Sequence, residues 1–162
     1  MLLQAYAALS ETERLPLILA GGKGWDYEAI FQTIDRYNLS SWVQFPGYLP
    51  VEELPLWYNS AEVFLYPSVF EGFGIPVLDA MACGTPVIVS DASSLPEVAG
   101  NAGLTLPPLA TEQWTQALSR AYSDANWRKK ATQQGFVEAK RYSWQLTAVE
   151  TINSYQQALQ PR

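Results

Sequence analysis

Residues 62–91 constrain the fold most. Two apolar runs, Glu62-Val63-Phe64-Leu65-Tyr66 and Val87-Ile88-Val89, flank a glycine loop and a small-residue helical stretch ending at Gly84-Thr85-Pro86. Strands joined through a helix run parallel, because a tight hairpin cannot reverse the chain between them. Neither run alternates apolar with polar, as expected for strands covered on both faces. The rest of the chain repeats this rhythm. Strands are predicted at 17–20, 42–45 and 104–106, and helices at 2–9, 27–37 and 51–59, with a single turn at 95–99. Helices at 112–123, 126–140 and 144–159 follow. Ile30, Phe31 and Ile34 share one face of the second helix, and Pro55 is an irregularity in the third. The pattern indicates a parallel sheet with helices on both faces. Ligands of such sheets bind beyond the strand carboxyl ends. Gly22, Gly47, Glu71 and Ser90 follow strands directly and are expected to gather at that edge.

The loop at the centre of this stretch reads Glu71-Gly72-Phe73-Gly74-Ile75-Pro76. Glycines let a backbone approach a ligand closely. Proline suits the first turn of a helix, where its missing N–H is not needed. The free N–H groups of a helix start attract phosphate. A carboxylate on the same loop accepts hydrogen bonds from hydroxyls. An anion and a polyol held together describe a nucleotide sugar.

Bulk properties exclude several alternatives. With 162 residues, 48% hydrophobic and 16% charged, the chain is long and apolar enough for one domain with a core. A net charge of −6 without a basic cluster argues against nucleic acid as a partner. There is no histidine, so no Ser-His-Asp or Cys-His site is possible within the chain, and a zinc site would lack its usual ligands. No Asp-x-Asp pair suggests a metal-held diphosphate. The single cysteine, Cys83, precludes an internal disulfide and reads as a small buried hydrophobe in its helix. No apolar run approaches the ~20 residues of a spanning helix, and no signal peptide is recognisable.

The motif resembles the donor-binding loop of group 1 (family 4) retaining glycosyltransferases with the GT-B fold. That family carries an acidic residue, Gly-Phe-Gly, an apolar stretch and a second Glu eight positions after the first. Here the pair is Glu71 and Asp79. Phe45-Pro46-Gly47-Tyr48-Leu49 followed by Glu53-Leu54 is similar to the family's base loop, and Ser94-Leu95-Pro96-Glu97-Val98 and Tyr142-Ser143-Trp144 fall at matching places.

The resemblance implies a Rossmann-like three-layer α/β/α parallel sheet, the C-terminal half of a GT-B enzyme, with extra C-terminal helices. It also implies that Glu71 faces the donor sugar as the catalytic carboxylate. Gly72, Phe73, Gly74 and Ile75 would offer backbone N–H groups to the sugar and diphosphate. Asp79 would hold the ribose, although one methylene shorter than the family's Glu. Gly47, Tyr48 and Leu49 would border the base, Tyr48 either stacking on it or covering the core edge. Gly22 and Lys23, in Gly21-Gly22-Lys23-Gly24, approach the phosphates or form only a strand-end turn; the Walker spacing is absent.

The substrate implied is a GDP- or UDP-linked sugar, with no cofactor and no metal, in retaining hexosyl transfer, mannosyl or glucosyl, to a sugar or lipid-linked acceptor. The helix at Met1 has no strand before it. The chain is therefore expected to be most of a donor domain, without the family's first strand, its Arg and Lys diphosphate clamp and its N-terminal acceptor domain, and to be inactive alone. The expected location is cytoplasmic, with peripheral contact to the inner membrane through that further domain. Rival readings are a noncatalytic binding module and another GT-B enzyme, such as an epimerase or a sucrose-type synthase. The tryptophans at 114, 127 and 144 are read as helix-packing residues, and Arg128, Lys129 and Lys130 as a solvated face.

Overall fold

The computed structural model describes residues 1–22, 24 and 27–160. Helices and parallel strands alternate: α1 (Leu2–Ala7), β1 (Leu17–Ala20), α2 (Glu28–Arg36), β2 (Val43–Gly47), α3 (Leu54–Ser60), β3 (Phe64–Tyr66), α4 (Ile75–Ala82), β4 (Val87–Ser90), α5 (Leu95–Ala99) and β5 (Leu104–Leu106). The helices α6 (Thr111–Ser123), α7 (Ala125–Ala139) and α8 (Trp144–Ala158) follow. Among the described residues the strands form two sheets, β1-β2 and β3-β4-β5, with every pairing parallel. The parallel strands covered by helices agree with the sequence pattern, and among the described residues β1 and β3 are not hydrogen-bonded to each other.

Two apolar clusters make the three layers. Side chains alternate along a strand, so Ile88 enters one cluster with Leu17, Val43, Tyr6, Trp114 and Leu118, whereas Val87 and Val89 enter the other with Val77, Met81, Leu95 and Val98. Leu65 of β3 joins the first, and Phe64 and Tyr66 the second. Helices α1 and α6 cover one face, while α4, α5 and α7 cover the other. Burial alone explains why β4 carries no outward-facing polar residue.

Local chemistry sets the element ends. Pro55 lies in the first turn of α3 rather than interrupting a helix that begins at residue 51. Helix α4 stops in a Schellman motif: Gly84 takes φ +85°, its N–H bonds Met81 O at 3.0 Å, and Thr85 N–H bonds Ala80 O at 2.9 Å. Asp124 caps α7 by accepting from Trp127 N–H at 2.8 Å.

Several expectations are corrected. Trp114 is fully buried, its indole donating to Pro107 O at 3.0 Å, but Trp144 opens α8 at 77% exposure, because α8 buries no residue among those described. Arg128 is not a solvated residue. It donates to the Ala121 and Tyr122 carbonyls at the end of α6 and pairs with Glu62 at 3.0 Å. Ile34 is buried on α2, whereas Ile30 and Phe31 are partly exposed, Phe31 stacking on Phe45 with centroids 4.9 Å apart. Cys83 is the C-cap of α4 and only partly buried, since the helix has already turned there.

Gly103 shows how tightly β5 enters the sheet. A Cβ there would lie 2.3 Å from the Val87 carbonyl oxygen and 2.6 Å from Val87 Cγ2. The first contact is sheet backbone and cannot yield. Gly103→Ala is expected to lower unfolding stability by about 1–3 kcal/mol, the usual cost of overpacking. A urea midpoint equal to wild type would contradict this packing.

Candidate donor-binding site

The loop after β3 is fixed at both ends. Ser90, the fully buried last residue of β4, donates its hydroxyl to Ser68 O. Gly74 at the other end has φ +108° and is the N-cap of α4. A Cβ on Gly74 would meet Leu95 Cδ2 at 2.7 Å, so both the left-handed backbone and the space require glycine. Between these ends, Glu71 N–H donates to Ser93 Oγ at 2.9 Å, and Ser94 Oγ donates to Phe73 O at 2.7 Å and Glu71 O at 3.3 Å. Phe73 meets Tyr142 edge-on with centroids 5.6 Å apart, bringing the α7–α8 corner to the loop. Gly72 has open space around it.

Helix α4 then begins at Ile75 with Pro76 in its first turn, as the sequence implied. Gly74 O accepts from Val77 N–H at 2.9 Å. Gly72, Phe73 and Ile75 stay exposed and Glu71 half-buried at the helix start. The helix dipole and first-turn N–H groups favour an anion there. Asp79 lies one turn further on, open to solvent on one side. Partial burial pushes its carboxyl up from its ordinary value, and its charge in turn raises the Tyr58 hydroxyl and the Cys83 thiol, after the larger effect of burial on each. The Tyr66 hydroxyl, at the end of β3, is pushed up to about 12 by burial and by hydrogen bonding to the Glu71 carboxylate.

The second group of expected residues sits at the ends of β1 and β2. Gly47 closes β2 with φ +80° and its carbonyl accepts from Gly21 N–H at 2.8 Å, so the two strand ends meet. Tyr48 is 81% exposed, which removes the alternative that it covers the core edge. Leu49 is half-buried and Gly22 exposed. Lys23 lies outside the described residues. Glu71, Gly72, Phe73, Gly74, Ile75 and Asp79 thus lie together on the β3–α4 loop and the first turns of α4. Gly22, Gly47, Tyr48 and Leu49 form a second group, and no hydrogen bond or ring contact among the described residues joins the two. Ser90 is not a ligand-facing edge residue, because its buried hydroxyl is spent on Ser68. Among the described residues, no cluster of three or more His, Cys, Asp or Glu side chains could hold a metal ion, and no helix is long and apolar enough to cross a membrane.

The pattern of the family described as glycosyl transferases group 1 matches residues 1–137. The chain belongs to this family. It is 42% identical over 156 residues to O-antigen chain mannosyltransferase B of Escherichia coli, covering 95% of the chain and 41% of that protein. Sucrose-phosphate synthase from Thermosynechococcus elongatus superposes with a TM-score of 0.83 at 28% identity, covering 96% of the chain and 42% of the synthase. Anabaena Alr3699/HepE, solved in complex with UDP and glucose, superposes with a TM-score of 0.84 at 20% identity over 98% of the chain and 44% of that structure. The chain therefore spans about two fifths of the lengths of these three proteins, and the architecture is that of one half of a GT-B glycosyltransferase.

Sequence reasoning missed Tyr66, Ser93 and the loop-binding role of Ser94. The only signal was the motif resemblance at residues 94–98 and 142–144, because bonds 22 and 23 residues apart leave no local pattern.

The raised Asp79 pKa fixes a sign. Burial disfavours the charged form, so the folded protein takes up the proton more readily than the unfolded chain, and ionised Asp79 costs stability above the folded pKa. Asp79→Asn is expected to be more stable than wild type in urea unfolding at pH 7. The difference should shrink as pH falls toward the ordinary value of 3.8. A pH-independent difference would contradict the desolvation.

Proposed function

We propose that this chain is the donor-binding domain of a hexosyltransferase that takes a nucleotide-diphospho-sugar and transfers the sugar with its anomeric configuration retained. The observation that carries the reading is the Glu71–Gly74 loop at the start of α4. A carboxylate, exposed glycine backbone and a helix N-terminus adjoin one another there, with Asp79 one turn on. Glu71 takes the sugar hydroxyls, and the backbone of Gly72, Phe73, Gly74 and Ile75 takes the sugar and the diphosphate. Asp79 accepts from the ribose. Gly47, Tyr48 and Leu49 border the base, with Gly22 and Lys23 toward the phosphates.

Charge builds on the diphosphate as the glycosidic bond breaks, and electrostatic stabilisation of such charge is commonly the largest catalytic contribution. The start of α4 supplies part of it, and no metal is required. An N-terminal domain supplies the remaining cations and the acceptor, a sugar or lipid-linked glycan. The likeness to O-antigen chain mannosyltransferase B supports mannose as the sugar, for which GDP is the donor base proposed, and the UDP and glucose in the HepE complex make UDP-glucose the next candidate. The location proposed is cytoplasmic, peripheral at the inner membrane.

Calorimetric titration with GDP, UDP and ADP tests this reading. One nucleotide is expected to bind, and EDTA to leave binding unchanged. Asp79→Ala is expected to weaken it about ten- to a hundredfold, the loss for a hydrogen bond to a charged group. Equal affinity in Asp79→Ala, or no binding at millimolar nucleotide, would overturn the donor site. The isolated chain is expected to transfer no sugar; turnover by it would overturn the need for a second domain.

A further inference from the structure

Glu71 is gripped by both of its backbone polar groups. Ser93 Oγ accepts from its N–H at 2.9 Å, and Ser94 Oγ donates to its carbonyl at 3.3 Å and to Phe73 O at 2.7 Å. The two serines lie between β4 and α5, 22 and 23 residues from Glu71. The stretch from Val69 to Gly72 packs little, since Val69 and Phe70 are exposed and a Cβ on Gly72 would meet nothing within 4 Å.

Each serine departs from its local preference to make these bonds. Ser94 is the N-cap of α5, where a serine oxygen ordinarily accepts from the second or third helical N–H. It makes no such bond, and its hydroxyl turns to the Glu71 loop instead. Ser93 has φ +49°, a left-handed backbone that a non-glycine residue rarely adopts. Unfavourable backbone of this kind persists where the surroundings enforce it, and such sites are often functional. In this conformation Ser93 accepts from Glu71 N–H.

We infer that Ser93 and Ser94 are positioning residues that fix the Glu71 backbone, and with the Tyr66 hydroxyl on the carboxylate itself aim Glu71 toward the donor sugar. The inference rests on the sugar-facing role proposed for Glu71 above. It assigns Ser93 to sugar recognition and not to nucleotide binding, since its partner is Glu71, while Ser94 also holds Phe73 O on the loop read as taking the diphosphate.

Two measurements on this chain test it. The first needs no ligand. Amide exchange at Glu71 is expected to be protected in wild type and about tenfold faster in Ser93→Gly, which keeps the left-handed backbone and removes the acceptor, with the Ile88 amide of β4 unchanged. Equal Glu71 exchange in the two proteins would overturn the grip.

The second is the ratio of GDP-mannose to GDP affinity, with UDP-glucose and UDP as the parallel pair. Ser93→Gly is expected to lower the ratio several-fold while free nucleotide binds as before; Ser94→Ala is expected to lower the ratio as well, and Ser94→Thr to restore it. A purely structural role would weaken both ligands together with the melting temperature, and that outcome overturns the positioning role. If Glu71→Gln lowers the ratio and the serine variants do not, the positioning role fails and the reading of Glu71 stands. If Glu71→Gln leaves the ratio unchanged, the sugar-facing reading fails and takes the positioning role with it.

Discussion

The burial of β4 is the constraint on which the site depends. Val87, Ile88, Val89 and Ser90 are all sealed from solvent. Their alternation sends Ile88 into the cluster under α1 and α6, and Val87 and Val89 into the cluster under α4 and α5. A strand buried on both faces cannot slip by one residue without exchanging its two apolar sets. Its register then fixes β3 on one side and β5 on the other, and its end places Ser90 under the loop that carries Glu71.

From that strand outward, the site is assembled by polar bonds. Ser90, Ser93 and Ser94 all belong to the β4–α5 segment, and all reach across to the β3–α4 loop. Gly74 closes against Leu95 of the same segment. The loop of Glu71 and Gly72 is thereby held on packed secondary structure, the support a binding carboxylate of the kind proposed would need. At the far end of α4 the Schellman turn at Gly84 is fixed by Thr132 Oγ1, which donates to its carbonyl at 2.8 Å, so α7 holds the helix as well.

The two parts of the sheet bear differently on the proposed donor. The β3-β4-β5 part carries the residues read as binding sugar, diphosphate and ribose, and the β1-β2 part carries those read as bordering the base. Both share one apolar cluster, in which Leu17 and Val43 pack with Ile88. The β2 end presents Tyr48 as an exposed aromatic face, while the β3–α4 loop presents backbone and carboxylate, a difference the proposed reading assigns to the two ends of a nucleotide sugar.

By itself the sequence determined the class of fold and the chemistry of the main loop. Apolar strands alternating with helices, Pro76 in the first turn of α4 and Gly84 at its end are local signals, and each acts through the conformational limits of a few adjacent residues. Only the tertiary structure decided which residues hold that loop, which strands pair with which, that Arg128 caps α6 and that Trp144 stays exposed. Those outcomes rest on contacts between distant segments, such as Ser93 with Glu71 and Arg128 with Glu62, and pairing of this kind leaves no periodicity in the chain.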